Sequence, residues 1–267
     1  RESFLRECEA CGEELRKASV DGPLALFGNV GLDWTRRNED GRVRKYNACF
    51  VAQNGVFTGP EGGAYPFVIK ALMPNYRQFD DSRHFYDLRK LAFELDRPIE
   101  SLLAPVRAGK LKLGCILCED AWDTDYPFSP LATLAEHAPD LTLNLSCSPF
   151  TFNKNSKRNR VFSAQAARLG TPLAYVNNVG IQNNGKTLFT FDGATCVYDG
   201  QGHQITTPVD FQESTLALDM PLGGGKPFGE PVQAREDGMA RLFAAIRYGS
   251  ARFLDQCGLS RVTVGAS

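Results

Sequence analysis

The stretch Leu111-Lys-Leu-Gly-Cys-Ile-Leu-Cys-Glu-Asp-Ala-Trp122 constrains this chain more than any other. Apolar residues alternate at Leu111, Leu113, Cys115 and Leu117, the period-two pattern of a half-buried strand. The strand runs directly into Cys118-Glu119-Asp120, three residues that can do chemistry, and then Trp122. A cysteine that leaves a strand to open a turn sits where backbone N–H groups point outward and favour negative charge. Such a setting lowers a thiol pKa and leaves donors for an oxyanion. The same residues also read as a buried core cysteine followed by an acidic helix cap, so the rest of the chain has to decide.

Elements can be placed on both sides of that strand. Residues 2–18 pattern as an amphipathic helix, with Phe4, Leu5, Cys8, Cys11 and Leu15 on one stripe. Asp21-Gly22-Pro23 stops it, and Leu24–Val30 follows as a strand. Asp40-Gly41 makes a hairpin turn between Gly31–Thr35 and Tyr46–Gln53, and a second turn falls at Gln53-Asn54-Gly55. Phe67-Val-Ile-Lys70 is a strand ending in a lysine, and 71–90 reads as loop. Beyond Trp122 come a short helix at Leu131–His137, a strand at Leu141–Leu145, a helix at Lys157–Leu169 and a strand at Leu173–Asn177. Phe162, Ala166 and Leu169 face inward on that longer helix. Turns at Asn184-Gly185, Asp192-Gly193 and Asp199-Gly200 then mark a β-meander over 178–220. Residues 221–232, rich in Gly and Pro, read as a linker. After them, Ala234–Gln256 patterns as a long helix with Met239, Leu242, Phe243, Ile246 and Phe253 at helical spacing, and Arg261–Ser267 begins a strand. Interleaved strands and helices of this kind make an α/β sandwich of mixed sheets, without a Gly-x-Gly-x-x-Gly nucleotide fingerprint.

Composition removes several classes of function. Thirty basic residues balance thirty-one acidic ones for a net charge of −1, which gives no surface for nucleic acid and no basic membrane patch. No apolar run approaches the roughly 18 residues of a membrane span. Eight cysteines in 267 residues do not make a disulfide scaffold; reduced thiols and a cytoplasmic setting are expected. The pairs Cys8/Cys11 and Cys115/Cys118 could supply zinc ligands only if brought together. Positions three apart on a strand face opposite sides, so no metal is expected.

A thiol nucleophile needs a base and an oxyanion partner. His84, His137 and His203 are the only histidines, and each reads as a surface residue. The alternative is a Glu–Lys–Cys triad with the lysine closing another strand, a description that Lys70 fits. A lysine at a strand end is otherwise a solvated terminus.

Five motifs in order then resemble one family. Lys70-Ala-Leu-Met-Pro-Asn-Tyr76 with Phe79-Asp-Asp-Ser-Arg-His-Phe85 resembles the lysine loop of glutamine-dependent NAD synthetases, and Cys118-Glu-Asp-Ala-Trp122 their nucleophile turn. Asn144-Leu-Ser-Cys-Ser-Pro-Phe150, with Lys154 after it, is similar to their substrate loop. Tyr175-Val-Asn-Asn-Val-Gly180 and Phe191-Asp-Gly193 are similar to the strands that follow. The resemblance implies a nitrilase-like α-β-β-α sandwich of the carbon–nitrogen hydrolase superfamily over 1–220, a linker over 221–232, and the first helix and strand of an α/β ATP-pyrophosphatase-type synthetase domain over 233–267. It implies Cys118 as nucleophile and Lys70 as oxyanion partner, beside the backbone N–H of Glu119. Tyr76, Ser148, Lys154 and Glu119 would hold glutamine, and Cys147 would be a packing residue. The family's base is a glutamate in a Pro-Glu motif. Neither Glu2 nor Glu61 has its context, and the chain starts at Arg1, so that motif is expected upstream. Val264-Gly265-Ala266-Ser267 resembles the strand entering a pyrophosphate loop.

The resemblance therefore implies glutamine hydrolysis through a Cys thioester. The ammonia would feed ATP-dependent amidation of deamido-NAD by the chain's own synthetase domain in a homo-oligomer. ATP, Mg and deamido-NAD would belong to that domain, with no cofactor in 1–220, and residues 1–267 by themselves are expected to be inactive. The competing readings are a stand-alone amidase of the nitrilase superfamily, a Cys/His thiol hydrolase, and an inactive scaffold.

Overall fold

The computed structural model describes residues 2–76, 78–185, 187–221, 228–234 and 238–266. Two β-sheets lie face to face with helices outside both. The first is a hairpin of β1 (Ala25–Arg37) and β2 (Val43–Gln53), extended on the far side of β2 by β3 (Val56–Phe57) and β4 (Val68–Ile69). Asn54 and Gly55 both take positive φ in the tight β2–β3 turn, as the sequence requires there. The second sheet has the order β11-β8-β7-β6-β5, built from β5 (Val106–Ala108), β6 (Leu111–Leu117), β7 (Leu141–Ser146), β8 (Leu173–Asn177) and β11 (Cys196–Tyr198). Its centre, β6-β7-β8, is parallel, and both edges are antiparallel.

The alternation of β6 sorts its side chains between two cores. Leu113, Cys115 and Leu117 pack against Cys49, Val51 and Val68 of the first sheet. Ile116 faces the other way, among Leu131, Leu134, Phe162 and Ala166 of the helices α4 (Pro130–Glu136) and α5 (Lys154–Leu169). The strand is thus buried on both faces rather than half-buried, as a central parallel strand must be. On the outside of the first sheet, Tyr46, Ala48, Phe67 and Ile69 pack with Leu88 and Leu91. The layers are those of an α-β-β-α sandwich.

Other local readings are corrected. Gly28 and Gly31 do not divide β1, which continues as one long strand paired with β2. Residues 71–90 hold two short helices, α2 (Asp81–His84) and the start of α3 (Leu88–Glu94). The Asp87 side chain caps α3 by accepting from the Arg89 N–H. On α1 (Glu2–Ala18), Leu5 and Gly12 are buried while Phe4, Cys11 and Leu15 are exposed, because the Asn29 amide donates to the Cys8 carbonyl and draws the glycine face down. The meander is a hairpin of β9 (Val179–Asn183) and β10 (Leu188–Asp192), and β11 leaves it to pair with β8.

Half of the linker expected at 221–232, residues 222–227, lies outside the described residues, as do 235–237; the helix expected from Ala234 begins only after Gly238, whose backbone is extended. The last helix, α6, is described over Met239–Gln256. Its large apolar residues are not what it buries: Met239, Phe243 and Ile246 are exposed, and Ala245 and Gly249 face the protein. A Cβ on Gly249 would stand 2.6 Å from Thr190 Oγ1, so only small residues permit the close approach to β10. The strand expected from Arg261 does not form through Ala266; among the described residues no neighbouring strand pairs with it to satisfy its backbone groups.

Gly31 tests the tightness of the first sheet. A Cβ there would lie 2.6 Å from two ring atoms of buried Phe67. Gly31→Ala is expected to cost about 1–3 kcal/mol by overpacking, read from urea unfolding midpoints.

Candidate active site

Three parallel strands deliver side chains in one row. Leu117 pairs with Leu145, and Ser146 with Asn177, so Cys118 follows β6 beside Ser146 of β7 and Asn177 of β8. Ligand sites of open α/β sheets form at such carboxyl ends. A cleft of about 590 Å3 opens there, lined by Lys70, Asp81, Cys118, Glu119, Cys147 and Asn177 among others. The backbone turns sharply at Cys118, whose φ is +43°, a left-handed conformation that a non-glycine residue holds only when its surroundings impose it. A single helical turn over Cys118–Ala121 then carries the chain away.

The restraint comes from Asp120. Its buried carboxylate accepts from the Leu117 N–H at 2.9 Å, closing the turn around Cys118. It also accepts from the N–H groups of Ala71 and Leu72 at 3.0 and 2.8 Å, immediately after Lys70. One side chain therefore ties the end of β6 to the end of β4, in the opposite sheet. Burial pushes the Asp120 carboxyl up to about 6, opposed by those three N–H donors and by Lys70.

Lys70 is buried and donates to Asp81 Oδ2 at 2.6 Å. Burial disfavours its charge, but Cys118, Asp81 and Asp120 outweigh that cost and raise its pKa, so the ammonium persists. Cys118 behaves differently from the expectation of a lowered thiol pKa. Burial pushes it above the ordinary value, and the pull of Lys70, Lys154 and a Ser146 hydrogen bond only partly offsets the rise. The remaining expected residues gather at the same end. The Tyr76 hydroxyl donates to the Glu119 carboxylate at 2.9 Å, and the Tyr126 hydroxyl donates at 3.0 Å. Lys154, the first residue of α5, donates to Ser148 Oγ at 2.6 Å, and burial lowers its pKa.

Cys147 is not a packing residue. It is exposed at the cleft, with the Asn178 and Gln182 amides donating to its sulfur at 3.6 and 3.7 Å. Glu61 and Glu2 lie elsewhere, in surface ion pairs with Arg107 and Arg37. His84, His137 and His203 are all exposed and none lines the cleft, so a Cys/His arrangement does not form. Among the described residues no group of three or more His, Cys, Asp or Glu could hold a metal ion. No described helix is long and apolar enough to cross a membrane.

Asp81, Ser146 and Asn177 carry much of this geometry without having been singled out from sequence, and the sequence marks Asp120 as able to do chemistry without giving it a role. Asp81 and Asp120 lie inside the motifs that marked Lys70 and Cys118. What identifies them is the pairing across the two sheets, which sequence spacing does not encode.

The α-β-β-α sandwich that carries this site is similar in fold to solved carbon–nitrogen hydrolases. A carbon–nitrogen hydrolase from Helicobacter pylori superposes with a TM-score of 0.59 at 18% identity, covering 80% of this chain and 69% of that one. A glutamine-dependent NAD+ synthetase from Acinetobacter baumannii, solved with ADP, gives 0.68 at 21% identity over 95% of this chain and 42% of that one. No family model matches. In sequence, the glutamine-dependent NAD(+) synthetase of Synechocystis sp. is 30% identical over 99% of this chain and 45% of its own length. The chain is similar over nearly its whole length to glutamine-dependent NAD(+) synthetases and spans less than half the length of these relatives.

Asp120 offers a direct test. Asp120→Ala leaves three buried N–H groups without an acceptor and is expected to cost about 3 kcal/mol or more. Asp120→Asn keeps one acceptor oxygen, turns a donor toward Leu117, and is expected to cost about 1–3 kcal/mol. Denaturant unfolding of both variants measures the difference.

Proposed function

We propose that this chain is the glutamine-hydrolysing part of a glutamine-dependent NAD(+) synthetase. The observation that carries the reading is the juxtaposition of Cys118 with the buried, charged Lys70, held by Asp120 across the two sheets. In the proposed reaction the Cys118 thiolate attacks the side-chain amide carbon of glutamine. The negative charge that collects on the amide oxygen is met by the Lys70 ammonium and the Glu119 backbone N–H. The C–N bond breaks as the nitrogen takes up a proton, ammonia leaves, and a glutamyl thioester remains. Water then attacks the thioester, releases glutamate and returns the proton to sulfur.

Substrate recognition divides by charge. Ser148 and Lys154 suit the α-carboxylate of glutamine, while the Glu119 carboxylate, braced by Tyr76 and Tyr126, suits its α-ammonium. Lys70 cannot serve as the base, because its oxyanion task requires the protonated form. Asp81 is committed to Lys70, and Glu119 to two tyrosines. Neither carboxylate lining the cleft is therefore left to act as the base. Ammonia would pass to a synthetase part beginning within 233–267, where ATP and Mg would support amidation of deamido-NAD.

Ammonia release from glutamine tests the proposal on residues 1–267 beside a version extended upstream through the expected Pro-Glu motif. Release by the extended protein alone, abolished by Cys118→Ala, is the expected result. General acid–base catalysis of this type is worth about 10²–10⁴-fold, so the two proteins should differ on that scale. Equal release from both would place the base within 1–267. No release from either would reject the glutaminase reading.

A further inference from the structure

Helix α6 reaches the substrate loop by two routes. Arg241, on its first turn, is nearly buried and donates through Nη2 to Asp192 Oδ2 at 2.8 Å. The same guanidinium holds Asp210 through Nη2 at 2.9 Å and Nε at 3.1 Å, and lies 5.4 Å from the centre of the Phe150 ring. Phe150 belongs to the loop that carries Ser148, and its N–H donates to the Thr190 carbonyl at 2.7 Å. Tyr248 of α6 packs on Phe211, which packs in turn on Phe150.

The second route runs through Asp192. Its carboxylate is buried and also receives both Nη atoms of Arg158, at 3.0 and 3.3 Å. Burial disfavours its charge, but Arg158 and Arg241 more than compensate and hold it below the ordinary carboxylate range. An ionised Asp192 only accepts hydrogen bonds. It therefore fixes which way the Asn177 amide points: Nδ2 donates to Asp192 Oδ1 at 3.2 Å and to the Ser148 carbonyl at 3.2 Å. Asn177 Oδ1 is left to accept from the Ser148 N–H at 2.8 Å. Both main-chain groups of Ser148 are thus set by one amide, and that amide by one carboxylate. The Ser148 hydroxyl then receives Lys154, whose charge acts on Cys118.

We infer that Arg241 is a positioning residue of the glutamine site, through which α6 sets the Ser148 loop by way of Asp192 and Asn177 and by direct contact with Phe150. Arg158 comes from α5, which packs on the second sheet beside the site. Arg241 comes from a helix that follows the sandwich and packs on the β9–β10 hairpin, so it alone of the two makes the loop depend on where α6 sits. The inference rests on the glutaminase reading above and adds to it a dependence of substrate binding on an element outside the cleft. Loss of Arg241 leaves Asp192 with one guanidinium, Asp210 without this partner, and Phe150 without its cation. The loop reaches Cys118 only indirectly, through the charge of Lys154, so binding should respond more than bond formation.

The experiment alkylates Cys118 in the chain as it stands, with the chloroketone analogue of glutamine, L-2-amino-4-oxo-5-chloropentanoate. The saturation constant KI and the limiting rate kinact are determined, with iodoacetamide, which carries no α-amino acid group, as the comparison reagent. Arg241→Ala is expected to raise KI about tenfold while kinact and the iodoacetamide rate stay within about twofold. Arg241→Lys, which restores one charge but not the two-carboxylate fork, is expected to fall between Arg241→Ala and the parent. It also carries the test if Arg241→Ala fails to fold. Unchanged KI in a folded variant overturns the inference, and so does a parallel fall in the chloroketone and iodoacetamide rates, which marks a purely structural loss. Absence of saturable labelling in the parent chain would instead reject the glutaminase reading, leaving the two failures distinguishable.

Discussion

Everything at the site depends on one buried carboxylate. Asp120 joins strand ends that belong to different sheets, accepting from Leu117 on one side and from Ala71 and Leu72 on the other. A backbone N–H buried without a partner is expensive, so three such groups converging on one side chain leave the two ends little freedom to separate. The left-handed backbone at Cys118 follows from the same restraint. The sandwich supplies the two strand ends, and Asp120 fixes the distance between them.

The electrostatics of the cleft are a balance of burial against pairing. Desolvation alone would neutralise Lys70 and discharge Asp192, yet both keep their charges because opposite charges stand within hydrogen-bond reach. Cys118 has no such surplus. Lys70 and Lys154 favour its thiolate, but Glu119 opposes them and burial is the largest influence. A thiol poised above its ordinary pKa is nearly all protonated at neutral pH. A base is therefore needed for attack on an unactivated amide at neutral pH, and the carboxylates beside it in 1–267 are occupied with Lys70, with backbone donors, or with tyrosines.

How much was legible in sequence follows from how local each feature is. Strand β6 has the bounds read from its alternation, though it is buried on both faces, and α5 presents Phe162, Ala166 and Leu169 inward as its spacing requires. Lys70 could be placed at a strand end because Phe67-Val-Ile precedes it. What failed was non-local. The stripe on α6 misled because its partner is a hairpin that approaches Gly249 too closely for large side chains. Residues 261–266 have strand-forming side chains but no strand beside them. Cys147, beside Ser148, read as packing, although its own side chain opens into the cleft. Asp120 and Asn177 could be seen in the sequence as polar residues near motifs. Their partners are 48 and 29 residues away, and no periodicity reports that.

The central claim is that the fold sets the charge of Lys70 against the sulfur of Cys118. The most direct measurement is the thiol pKa of Cys118, taken from the pH dependence of its alkylation with peptide mapping, in the parent chain and in Lys70→Gln. Glutamine at that position keeps a hydrogen-bond donor for Asp81 while removing the positive charge. The account predicts a Cys118 pKa above the ordinary thiol value in the parent and higher still in the variant. An unchanged or lower value in Lys70→Gln would contradict it.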